Sequence, residues 1–123
     1  MTVLDAGALV AVERKDQRAR LLLTRAAQTG ALLIPTIVLT QVWRGGGPRQ
    51  ALLGRFLSVP EVELVPVGHA LARAAGLLLG RSGTSDAVDA CVVALAVSLQ
   101  APIVTSDPDD LRRLDDRVRL VLV

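Results

Sequence analysis

The chain has 123 residues, 51% of them hydrophobic, and a formal net charge of +2. That is length enough for one domain with one core, and far too apolar for a disordered tail. A single cysteine, Cys91, and only Trp43 and Phe56 as aromatics exclude a disulfide framework, a cysteine zinc cluster and a base-stacking platform for single strands.

Residues 2–5, TVLD, read as a short buried strand ending in a carboxylate. A helical pattern runs from about Ala8 to Gln28, stopped by Thr29-Gly30. Residues 31–35, ALLIP, read as a second buried strand, and residues 36–44 as a helix capped by Thr36. The stretch RGGGP at 44–48 is a break; a helix restarts at Pro48 and runs to about Leu57. Residues 62–67 form a third strand and 68–80 a helix, followed by the connector RSGTS. Residues 86–99 read as a core helix, 101–107 as a fourth strand, 108–114 as a short helix and 117–123 as a last strand. Strands alternating with helices predict one α/β domain over residues 1–123, with a parallel sheet covered on both faces.

The acids then fall at telling places. Asp5 ends strand one, Asp107 lies just past strand four, and Asp86 and Asp89 open the helix that leads into strand four. Ligands of open parallel sheets bind beyond the carboxyl ends of the strands, where the strand order reverses. The topology therefore lets Asp5, Asp89 and Asp107 converge, with Asp86 one turn away. Carboxylates so gathered either take up protons or are neutralised by a cation. Oxygen donors without histidine or thiolate point to Mg²⁺ or Mn²⁺, and such a cation can activate water against a phosphodiester. Plainer roles stay open. Asp86 also reads as an N-cap, Asp89 as a first-turn acid and Asp107 as a cap before Pro108. Asp109 and Asp110 read as surface acids of a first helical turn, and Asp115 and Asp116 as a solvated turn. No capping role is evident for Asp5.

Four segments, VLDAGALVA, PTIVLTQVWRGG, DAVDACVVALA and IVTSDPDDLRRL, taken in this order, resemble the PIN domain. More narrowly they resemble the VapC-type toxins of bacterial toxin–antitoxin pairs, and the likeness covers nearly the whole chain. The resemblance implies a three-layer α/β/α sandwich around a parallel sheet of about five strands. It implies an endoribonuclease that cleaves RNA through a Mg²⁺- or Mn²⁺-activated water, a cognate antitoxin protein as partner, and a homodimer. It carries the metal-binding and catalytic acids onto Asp5, Asp89 and Asp107. Asp86 follows as a further ligand or outer acid, with Asp109 or Asp110 assisting. One position departs from the pattern: the family's glutamate in the helix after strand two is Gln41 here. Glutamine keeps a carbonyl oxygen but loses the charge, and Glu13 is the nearby glutamate that would have to compensate.

Other residues carry two readings each. Trp43 and Arg44, beside the glycines, suit either an RNA groove or antitoxin contact, or simple packing of the indole on a neighbouring helix. Arg112 and Arg113 suit phosphate contacts or a solvated helix face. Thr105 and Ser106 suit a phosphate contact or a turn. His69 reads as a surface or capping residue, and Cys91 as an inert core residue. Apart from Lys15 every basic side chain is arginine, which reads as a composition bias. Asp5 interrupts any leader, and no apolar run reaches the roughly 20 residues that span a bilayer, so a cytoplasmic protein without a membrane role is expected. The rival to a nuclease is a non-catalytic module of the same fold, disabled by Gln41, that binds antitoxin or RNA. A receiver-like phosphoacceptor would want a second acid after strand one and a late lysine, and neither is present.

Overall fold

Three of the five strands are buried along their whole length, which is why they read as unbroken apolar runs. The computed structural model describes residues 1–123. Strand β1 is Thr2–Leu4, β2 Leu32–Pro35, β3 Val62–Val65, β4 Ile103–Thr105 and β5 Leu120–Leu122. They form one parallel sheet in the order β3-β2-β1-β4-β5. Strands β1, β2 and β4 are the buried ones, and the edges β3 and β5 are half-exposed. From β1 the chain works outward through β2 to β3, then returns to the other side through β4 and β5. The order thus reverses between β1 and β4, whose register pairs Leu4 with Val104.

Helices α1 (Ala6–Glu13), α2 (Gln17–Thr29), α3 (Leu39–Val42) and α4 (Gly47–Leu57) cover one face. Helices α5 (His69–Ser82), α6 (Ala87–Leu99) and α7 (Pro108–Leu114) cover the other, completing a three-layer α/β/α sandwich. Residues Ala90–Ala96 of α6 are all buried, so this helix forms the centre of its layer. No single helix is long and apolar enough to cross a membrane.

Two expectations need correction. The helix expected over 8–28 is two helices. Lys15 turns left-handed at φ 56°, and Asp16 restarts the helix by accepting the Ala19 N–H at 2.9 Å. The helix expected over 36–44 is a 3₁₀ turn, Thr36–Val38, followed by the single turn of α3. Thr36 caps neither: Pro35 occupies the N-cap position, and no side-chain cap bond forms there.

Candidate active site

Strand β1 stops at Leu4, and the next side chain is the carboxylate of Asp5, only 5% exposed. Its Oδ1 accepts the Ala8 N–H at 3.0 Å, so Asp5 caps α1. The sequence reading gave it no cap; the capping signal was the apolar helix beginning immediately after it. Burial pushes its carboxyl above the ordinary range. The Thr105 hydroxyl and the N–H groups of Ala8 and Gly7 pull it back, and the charge of Asp107 adds to the upward push.

Thr105, fully buried at the end of β4, ties the two strand ends together. Its hydroxyl serves Asp5, and its Oγ1 also accepts the Asp107 N–H at 2.9 Å. Gly7 allows this closeness. A Cβ there would run into the Ser106 hydroxyl and stand 3.2 Å from both the Cβ and the N of Ser106. Neither role is legible in the sequence, because both depend on two segments about a hundred positions apart.

Helix α6 delivers the next two acids. Asp86 is its N-cap, accepting the Asp89 N–H at 3.0 Å. Asp89 sits half-buried in the first turn. Burial, then the charges of Asp86, Asp5, Asp110 and Asp107, push its carboxyl up to about 6. Asp107 lies exposed just past β4, at the N-cap position of α7, where it makes no close capping bond, although the nearby Asp110 N–H pulls its carboxyl down. Its carboxyl is raised first by a hydrogen bond with Asp110, then by desolvation and the Asp110 charge. Asp109 is exposed and faces Arg112 instead, at 3.9 Å.

The charges of Asp86, Asp5, Asp110 and Asp107 thus all bear on Asp89 at the reversal of the strand order. No three acidic, histidine or cysteine side chains stand as a ready-made metal cage. The donors fit a hard cation by their chemistry: all are carboxylate oxygens, and their mutual repulsion is what a divalent ion relieves. Gln41 has an exposed side chain and makes no hydrogen bond to an acid; only its backbone carbonyl is engaged, accepting Arg44 Nη2 at 3.4 Å. Glu13 accepts Gln50 Nε2 at 3.0 Å and so serves the scaffold. His69 is exposed at the start of α5, and Cys91 is buried in α6. Trp43, 45% exposed, packs over Gly54 and lines an open groove with Leu39, Leu57 and Leu64.

The sequence model for the PIN domain matches residues 2–117. No curated protein sequence matches the chain. Among solved structures, VapBC2 from Rickettsia felis, bound to a DNA fragment from its promoter, contains a similar chain. The TM-score is 0.79 at 19% identity, over 99% of this chain and 98% of that one. A chain of FitAB bound to an IR36 DNA fragment matches with TM-score 0.70 and 14% identity, over 99% and 94% of the two chains. A chain of FitAcB from Neisseria gonorrhoeae matches with TM-score 0.69 and 15% identity, over 98% and 96%. At these identities the likeness establishes the shared fold.

Proposed function

The chain belongs to the PIN-domain family, and on that premise we propose that it is a metal-dependent endoribonuclease, the VapC-type toxin of a toxin–antitoxin pair. One observation carries the reading: at the strand reversal, four other aspartates act on Asp89 and help hold its carboxyl near 6. A structural cap needs no such gathering, whereas holding a divalent ion for phosphodiester hydrolysis does.

Asp5, Asp89 and Asp107 would hold Mg²⁺ or Mn²⁺, with Asp86 and Asp110 at the margin. When bound, the ion supplies charge neutralisation and a water of lowered pKa. The chain's own residues set the stage. Thr105 and the Ala8 N–H fix Asp5, while Asp86 fixes the first turn of α6. Gly7 lets Ser106, just past β4, approach the start of α1 closely. Without a cation the carboxylates would repel an RNA strand. The reading includes an antitoxin and a second copy of the chain as partners, and the reducing cytoplasm as setting.

A second reading, a non-catalytic module that binds antitoxin or RNA, draws on Gln41 and on the lack of a ready-made cage. One experiment decides. The purified chain is incubated with a structured RNA and Mn²⁺. Cleavage lost in EDTA and in Asp5→Asn, which keeps a capping side chain, supports the nuclease. Cutting that persists in either condition overturns it, and wild-type chain that binds without cutting supports the module.

A further inference from the structure

A pocket of ≈ 250 Å³ opens beside Asp89, between the turn that follows α5 and helix α7. Thr84, Ser85, Asp89, Asp110 and Arg113 are among the residues lining it, and Arg113 is its only cation. The guanidinium Nη1 stands 3.5 Å from Asp110 Oδ1, with the two side chains 69% and 49% exposed. An ion pair so open to water contributes little. It holds the guanidinium beside the acids without committing it to them. Arg112, one position earlier, faces Asp109 and takes no part in the pocket.

RNA is a chain of phosphates. When one phosphodiester lies at the acid cluster, its neighbour along the strand must lie against an adjoining surface. A surface of carboxylates alone would repel it. Guanidinium is weakly hydrated and pairs with phosphate in bidentate fashion, so with Asp86, Asp89 and Asp110 sharing a cation, the weakly held Arg113 is the group in this lining able to take a phosphate. We infer that Arg113 is a substrate-binding residue of this cleft: it takes the RNA phosphate adjacent to the one being cleaved. The inference rests on the nuclease reading above. The pocket is smaller than the roughly 300–1,000 Å³ of sites that enclose a whole small ligand, and no aromatic side chain lines it. It therefore suits a phosphate with its ribose rather than a stacked base, and contacts of that kind set position without reading sequence.

The test uses a single-stranded, fluorescein-labelled RNA and the chain with Ca²⁺ in place of Mn²⁺, so that the acids keep a cation while cleavage is suppressed. Anisotropy titrations are run across a salt series. Arg113→Gln lowers affinity roughly fivefold to tenfold and reduces the slope of log K against log salt by about 0.7, the increment for one phosphate on a single strand. Arg113→Lys restores the slope but only part of the affinity. Arg112→Gln removes the same charge one residue away and stays within about twofold. In the otherwise wild-type chain, Arg113→Gln raises KM more than it lowers kcat. Equal losses for Arg112→Gln and Arg113→Gln would overturn the assignment and leave the nuclease standing. A wild-type chain that never cuts, combined with an Arg113-specific loss of binding, would remove the nuclease and keep the phosphate site. Absence of RNA binding altogether removes both.

Discussion

The carboxylate of Asp5 caps the first helix and belongs to the acid cluster at the same time, through a side chain that burial already penalises. A sequence shows the cluster as aspartates at strand ends. It does not show that Thr105 braces two of them, or that Gly7 leaves room for Ser106. Gly7→Ala tests the second point. The new methyl collides with Ser106, and overpacking of this kind costs about 1–3 kcal/mol. Urea unfolding should show a loss in that range, because backbone as well as the hydroxyl must move. Gln41 is the other informative single residue. If it borders the metal, Gln41→Glu adds a charge to the donor set and should tighten Mn²⁺ roughly tenfold, about 1.4 kcal/mol, by calorimetry. An unchanged affinity would put Gln41 outside the ligand shell.

At the scale of elements, the core strands and α6 were legible because burial on all sides leaves a continuous apolar run. The missed boundaries share a different cause. The break at residues 14–16 rests on Lys15 at φ 56° and on a cap by Asp16. Both are local polar choices that the surrounding helical pattern hides. The short helix after β2 is shaped by Gln50, which lies eight positions beyond Val42 and is only 8% exposed. Its Oε1 accepts the N–H groups of Arg44 and Gly45 at 2.6 and 3.0 Å, and its Nε2 donates to Val42 O and Glu13 Oε2 at 3.1 and 3.0 Å. A glutamine in α4 therefore closes α3 and holds the start of the glycine loop. Gln50→Ala strips several backbone groups of their partner, at a cost of about 1–3 kcal/mol. Trypsin should then cut after Arg44 markedly faster than in the wild type, while the unfolding midpoint falls. A lower midpoint with unchanged nicking would mean that other contacts hold the loop.

For the whole molecule, the gathered acids make stability depend on pH and on divalent ions in a defined direction. Asp89 titrates at 3.8 in an unfolded chain and at about 6 in the native one. Between those values the native state holds more protons than the unfolded state. Stability therefore falls as pH rises through that window. Below it both states are protonated and the penalty vanishes; above about 6 the penalty is fully present. Asp5, also raised, adds a slope of the same sign. Thermal melts of the metal-free chain should thus show Tm declining from about pH 4 to about pH 6, and Asp89→Asn should flatten that decline. A divalent ion competes with those protons for the same oxygens. Saturating Mg²⁺ at about pH 7.5 should raise Tm by about 4 °C or more, and by much less near pH 5. NaCl at matched ionic strength separates a bound ion from screening, since screening would relieve the repulsion with no preference for the divalent cation. Equal gains from both salts would mean that the acids repel one another without sharing an ion, and the non-catalytic reading would then be the better one.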